Sequence, residues 1–210
     1  MKVLTVGDSF TYGQELSDIS NAWPNLLGYE VTNLAKPGSG NSRMVRTVIE
    51  HAVNYDLIII AWSHFARTEI ADVNGVYDIW PGCNNIQYDM HSPWRKQLID
   101  YYTRYHNDDY LYVEYLLNII LVQNYMKSQD KRYLMLDSFG NHQANQRVVE
   151  QNSKLIKQID SKFYIGWPKE SMMEWTYGLP KGPGGHFLEQ GHQHIADKIN
   201  EHIGNLGWLS

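Results

Sequence analysis

The sequence predicts a single α/β domain, a three-layer α/β/α sandwich around a mainly parallel sheet of about five strands. Short β-branched and apolar runs alternate along the chain with segments of helical periodicity, which is typical of βαβ units. One run, residues 56–62, is apolar almost throughout, as expected for a parallel strand buried on both faces. The length of 210 residues suits one domain with a full hydrophobic core.

Each element follows from its own residues. We expect strands at residues 2–6, 30–34, 56–62, 132–136 and 162–165. Helices are expected at residues 21–27, 42–53, 109–128, 143–159 and 187–204. Regularity fails over residues 63–105, where glycines and prolines interrupt an aromatic-rich stretch. That stretch is interpreted as a lid-like insertion into the one domain.

Composition excludes several classes of protein. The formal net charge of −5 disfavours a surface that neutralises phosphates, so we expect no nucleic-acid partner. The single cysteine, Cys83, excludes an internal disulfide and a zinc site built on several thiolates. The sequence has no apolar stretch long enough for a membrane span and no secretory pattern, so we expect a cytoplasmic protein without a membrane partner.

The candidate site residues follow the predicted strands. In an open parallel sheet, ligands bind beyond the carboxyl ends of the strands. A serine, glycines, an asparagine and a histidine converge there, within the segments 7–13, 37–41, 62–64, 137–138 and 184–186. A serine nucleophile needs a base, and histidine suits that role near neutral pH. The oxyanion that forms needs backbone N–H groups or an amide as donors.

These segments resemble the motif blocks of SGNH/GDSL hydrolases, a family with a flavodoxin-like sandwich. Gly7-Asp8-Ser9-Phe10 with Tyr12-Gly13 is similar to the first block, the stretch 33–38 to the glycine block, and the stretch 185–196 to the last block. The resemblance implies Ser9 as nucleophile and His186 as base. It also implies that the N–H groups of Ser9 and Gly38 are oxyanion donors.

Two positions depart from the family pattern. The third block is normally Gly-x-Asn-Asp, but the matching stretch here is Ala61-Trp62-Ser63-His64, which lacks the asparagine. Asn41 is the candidate that replaces its amide, with Ser63 or His64 as alternatives. Such a Trp-Ser block followed by Arg-Thr-Glu resembles a divergent branch often met in phages.

The other departure concerns the group that orients the base. The family usually carries an aspartate three residues before its histidine, and that position is Pro183. Asp137, Glu189 or a backbone carbonyl are the candidates for this role.

We therefore predict a serine ester hydrolase for a small acyl ester, such as an O-acetyl group on a carbohydrate, with no cofactor and no metal. Trp62, Ser63 and His64 are candidate substrate-binding residues. A catalytically silent carbohydrate-binding module and an O-acyltransferase stay open as alternatives, as does the oligomeric state. Asn41 is equally interpreted as a helix cap, and His192 as a packing residue.

Overall fold

A parallel sheet forms the centre of the protein. The computed structural model describes residues 1–73, 75–80, 100–101, 104–141 and 144–208. Its strands are β1 (Lys2–Val6), β2 (Glu30–Asn33), β3 (Leu57–Trp62), β4 (Thr68–Asp72), β5 (Gly75–Ile79) and β6 (Arg132–Asp137). Four of them pair in the order β2-β1-β3-β6, all parallel. The predicted α/β class with a mainly parallel sheet is confirmed.

The helices cover both faces of this sheet. They are α1 (Ser9–Tyr12), α2 (Asn41–His51), α3 (Asp108–Ser128), α4 (Gln146–Gln151), α5 (Ser153–Ile156), α6 (Met172–Trp175) and α7 (Glu189–Asn205). Because successive side chains of a strand point to opposite faces, β3 supplies two cores. Ile58 and Ile60 pack with α2 and α3, whereas Leu57 and Ile59 pack with α7.

The fifth strand is reduced to a single parallel bridge between Met135 and Tyr164. Ile165 still donates its N–H to the Met135 carbonyl at 2.8 Å. Gly166 then adopts a φ of 82°, which turns the chain away before a longer strand can form. The expectation of a strand at 162–165 is therefore corrected to one bridge.

Strands β4 and β5 pair antiparallel, where the sequence analysis expected no regular structure. The hairpin is tied to the sheet edge by ionic contacts. Asp78 accepts hydrogen bonds from Lys36 Nζ at 2.6 Å and from the Gly40 N–H at 3.1 Å. Arg46 of α2 forms a bidentate salt bridge with Glu69, in which both N–O distances are 2.7 Å. Residues 81–99 of the expected lid lie outside the described residues.

Helix ends also differ from the sequence-based expectations. The helix expected at 21–27 is two short 3-10 turns, Ile19–Asn21 and Asn25–Leu27. The helix expected at 143–159 is divided into α4 and α5. Within the described ranges, no helix combines the length and apolar character needed to cross a bilayer.

Candidate active site

Ser9 lies at the tight turn between β1 and α1. Asp8 caps α1 by accepting the Phe10 N–H at 3.0 Å. Gly13 ends the helix with a φ of 88°, a conformation that glycine adopts without strain. The spacing of Gly-Asp-Ser with a later glycine thus builds a one-turn helix that presents Ser9, which is 4% exposed, at the carboxyl edge of the sheet.

A buried polar network supports this turn from below. The Asp8 carboxylate is fully buried, and its Oδ2 accepts the Ser63 hydroxyl at 2.8 Å. The Ser63 backbone is held in turn by Asn41 and Asn141, whose side-chain amides both donate to its carbonyl. Buried polar groups paired in this way fix a single geometry.

Two of the three candidate substrate-binding residues are buried. The side chains of Trp62 and Ser63 are fully buried and therefore do not reach a ligand. His64 is half-buried and stacks on Phe65 with ring centroids 4.4 Å apart. Burial, reinforced by the nearby Arg67 charge, lowers the pKa of His64. Trp62 and Ser63 thus support the site, and substrate binding by His64 stays a prediction.

Asn41 is the first residue of α2, and Gly40 occupies the cap position, so the capping interpretation is wrong. Its amide oxygen accepts the Ser63 N–H at 2.9 Å, and its nitrogen lies 3.3 Å from the Ser63 carbonyl. The role of Asn41 as an oxyanion donor stays a prediction, and these contacts favour a supporting role.

Glu15, which the sequence analysis missed, orients His186. Its Oε2 lies 2.8 Å from His186 Nδ1 and also accepts the His186 backbone N–H at 3.1 Å. The other oxygen, Oε1, accepts the Gly184 N–H at 2.7 Å. The carboxylate that the family places at position 183 thus comes here from the loop after α1. His186 Nδ1 is therefore paired with a carboxylate that comes from a different segment than in the family pattern.

The local backbone is shaped for this contact. Glu15 adopts a φ of 72°, an uncommon conformation for a residue with a side chain. A Cβ added at Gly182 would lie 2.8 Å from the Glu15 carboxyl carbon, and one at Gly184 would lie 3.0 Å from Oε2. The hydrogen bond from Gly184, with those from His186, lowers the pKa of Glu15. The carboxylate is therefore held in its charged form.

The residues that sequence reasoning proposed for the orienting role lie elsewhere. Asp137 is buried at the end of β6, where Oδ1 accepts hydrogen bonds from Tyr115, Tyr164 and Asn141. Burial raises its pKa to about 7. Glu189 contacts the Ser17 hydroxyl. The structure therefore contradicts both assignments, because Glu15 occupies the position beside His186.

Ser9 and His186 open onto one cleft of about 490 Å³, whose walls also include Gly38, Arg67, Trp80 and Phe139. Within the described ranges, neither the Ser9 N–H nor the Gly38 N–H is taken by a hydrogen bond. Gly38 has a φ of 78°, and a Cβ there would lie 3.1 Å from the Trp80 ring. Two free donors and a serine thus share one small, partly aromatic cavity.

His192 is buried, and its Nδ1 accepts the Trp23 N–H at 3.1 Å, which confirms the packing interpretation. Burial lowers its pKa to about 4. Among the residues that the structure describes, no three His, Cys, Asp or Glu side chains cluster as metal ligands would.

The overall fold matches several solved structures. TesA superposes with a TM-score of 0.57 at 14% identity, covering 98% of this chain and 99% of that one. A lipolytic-type protein assigned to the G-D-S-L family from Desulfitobacterium hafniense DCB-2 gives 0.55 at 14%, over 96% and 98%. Axe2, an acetylxylan esterase from Geobacillus stearothermophilus, gives 0.52 at 17%, over 97% and 94%. The chain therefore has the SGNH/GDSL type of fold.

Its family is defined by sequence. The chain belongs to DUF6071, a family of unknown function, whose model matches residues 14–210. No curated protein matches the chain significantly.

Proposed function

We propose that the protein is a serine ester hydrolase that acts through Ser9, His186 and Glu15. The contact between Glu15 and His186 Nδ1 is the observation on which this rests. A carboxylate at that distance favours a proton on Nδ1, so that Nε2 is the unprotonated nitrogen. Nε2 is then the general base for the serine that opens onto the same cleft.

In the proposed reaction, Ser9 Oγ attacks the ester carbonyl carbon while His186 Nε2 takes the hydroxyl proton. The carbonyl electron pair moves to oxygen, and a tetrahedral intermediate forms. Collapse breaks the bond to the alcohol, which leaves with the proton from His186. Water then attacks the acyl-enzyme with the same base and releases the acid and Ser9. Glu15 stabilises the imidazolium formed in each half.

The N–H groups of Ser9 and Gly38 are proposed as oxyanion donors. Both residues line the cleft, and neither N–H has another partner in the described part of the chain. Preorganised donors of this kind supply a large share of the rate enhancement in acyl transfer. Asn41 is placed one layer below, where it holds the backbone of Ser63.

The proposed substrate is a small acyl ester, with an O-acetyl group on a carbohydrate as the preferred class. The cleft volume of about 490 Å³ suits a short acyl group, and Trp80 and Phe139 offer apolar surfaces beside it. Structures with the same fold include acetylxylan esterases. A catalytically silent module would be favoured if His186 had no carboxylate partner, but Glu15 Oε2 lies 2.8 Å from its Nδ1.

The first test is intact-mass spectrometry after treatment with a small fluorophosphonate. We expect one adduct on the wild type and none on Ser9→Ala. Turnover of 4-nitrophenyl acetate should follow the same order. Tyr12→Phe, which changes a hydroxyl at a 40% exposed position on the same helix, is the matched control and should react like wild type. An unlabelled wild type, or equal labelling of Ser9→Ala, would contradict the proposal.

A further inference from the structure

One cation, Arg67, stands in the cleft wall without a role in the mechanism above. It lies in the loop between β3 and β4, four positions after Ser63. Its side chain is 13% exposed, and its Nη1 is 3.7 Å from Asp8 Oδ2. Within the described residues, Nη1 has no hydrogen-bond partner at all. Nη1 is itself buried beside Asp8, whose charge offsets part of the cost of leaving this donor unpaired. The exposed remainder of the Arg67 side chain lines the cleft.

Aromatic packing and a backbone turn hold Arg67 in place. Arg67 Cζ lies 4.7 Å from the centre of the Phe139 ring, at cation–π distance. Phe139 packs on Phe10, with centroids 4.8 Å apart, and Phe10 directly follows Ser9. The Arg67 backbone is held by a turn in which its N–H donates to the His64 carbonyl at 3.0 Å. These contacts hold Arg67 in the wall of the cleft that Ser9 also lines.

The site also lacks the asparagine side chain that the third SGNH/GDSL block normally supplies as an oxyanion donor. The third motif block has Ser63 where the family has asparagine, and the Ser63 hydroxyl is buried on Asp8. The Asn41 amide is bonded to the Ser63 backbone at both of its ends. Arg67, from the same loop, faces the cleft that Ser9 and Gly38 also line.

We propose that Arg67 is a catalytic residue that donates a hydrogen bond to the ester carbonyl oxygen as it becomes negative in the Ser9 tetrahedral intermediate. It thus takes the place of the third-block asparagine. This inference rests on the proposed function. The carbonyl electron pair moves to an oxygen that already faces a fixed positive charge, and no proton leaves Arg67, because a guanidinium stays charged in proteins. Asp8 at 3.7 Å keeps the charge in position without occupying it with a hydrogen bond.

The test compares Arg67→Met and Arg67→Lys with wild type on 4-nitrophenyl acetate, a neutral ester. We expect kcat of Arg67→Met to fall by about 10² to 10³-fold with KM within about threefold, since the lost contact forms in the transition state. Arg67→Lys should lose less, because it keeps the charge and loses the planar donors. The rate of fluorophosphonate labelling should fall in parallel. Arg46→Met, which removes an outer cation that pairs with Glu69, is the matched control and should keep wild-type kcat.

A double variant separates catalysis from neutralisation of Asp8. If Arg67 only balances that buried carboxylate, Asp8→Asn with Arg67→Met should regain activity. If Arg67 contacts the oxyanion, the double variant should be no faster than Arg67→Met. The double variant can also be measured if Arg67→Met alone does not fold, because it removes the Arg67 and Asp8 charges together.

Three results would overturn the role of Arg67. One is a kcat of Arg67→Met within threefold of wild type, and another is rescue in the double variant. The third is a loss confined to an ester with a negatively charged acyl group, such as a hemisuccinate, which would make Arg67 a substrate-charge receptor. A wild type that neither hydrolyses esters nor takes the label would overturn the proposed function itself, and the role of Arg67 with it.

Discussion

Replacing Glu15 tests how much the relocated carboxylate contributes. Its oxygens face three donors: Oε2 faces the His186 N–H and Nδ1, and Oε1 faces the Gly184 N–H. In Glu15→Gln one end becomes a donor. If the amide nitrogen faces Gly184, one hydrogen bond is lost, whereas if it faces His186, the contacts to both its N–H and its Nδ1 are lost. The first orientation is therefore favoured, and the imidazole keeps an acceptor but loses the negative charge.

This geometry sets the expected sizes of the effects. Glu15→Gln should lower kcat by about 10²-fold, the range typical of one lost electrostatic contact. Glu15→Ala removes both the charge and the orientation, and its loss should reach about 10³ to 10⁴-fold. KM should change little in both, because Glu15 is proposed to act through His186 and not on the substrate.

The unusual backbone of Glu15 provides a control for folding. At a φ of 72°, glycine is more stable than alanine by about 1 kcal/mol. Glu15→Gly should therefore unfold at higher denaturant concentration than Glu15→Ala, yet lose the same activity. Ester turnover and chemical denaturation of the three variants give both numbers. The reasoning is refuted if Glu15→Ala keeps kcat within tenfold of wild type, or if Glu15→Gly regains activity along with stability.

Three further outcomes are expected. Gly184→Ala places a Cβ 3.0 Å from Glu15 Oε2 and should lower kcat by about tenfold or more. Gly178→Ala is the control, because Gly178 has a φ of 80° but open space around it, and it should lower the free energy of unfolding by only about 1 kcal/mol. Equal activity of Gly184→Ala and Gly178→Ala would refute a steric clash between residue 184 and Glu15. Burial raises the pKa of Asp137 from 3.8 to about 7 in the folded state. Between these pH values the folded protein holds a proton on Asp137 that the unfolded chain has released, so the free energy of unfolding should decline as pH rises. Asp137→Asn should flatten that decline in denaturation measured at pH 5 and pH 8, and an unchanged slope would exclude this carboxyl as its source. Asn41→Ala should lower the unfolding free energy by about 1 to 3 kcal/mol through its lost buried hydrogen bonds, with kcat of the folded protein within tenfold. A stable but inactive Asn41→Ala protein would restore Asn41 as an oxyanion donor.

The sheet was predictable because its signals are local. The apolar run 56–62 and the β-branched run 2–6 need no distant partner to be read as strands. The β4–β5 hairpin was not predicted because it is stabilised by ion pairs between residues distant in sequence, such as Arg46 with Glu69 and Lys36 with Asp78. Those pairings join segments 23 and 42 residues apart, and neither segment carries a strong pattern of its own.

The site was predictable only in part for a similar reason. Ser9 and His186 were proposed from short motifs with a fixed local form. Glu15 has no such motif, and its partner lies 171 residues away along the chain. One signal was present: Gly182 and Gly184 crowd the turn before His186, and such clustering of glycines indicates that another group approaches closely. Sequence alone does not say which group that is.

The separation between Glu15 and His186 along the chain has a consequence for folding. In the proposed mechanism, Ser9 and Glu15 come from the first 15 residues, whereas His186 comes from the turn that precedes α7. A chain in which α7 has not docked on the sheet would then lack the proposed base beside Ser9. If the proposal is right, ester turnover during refolding should begin only after α7 has docked, so its onset would report the rate of that step.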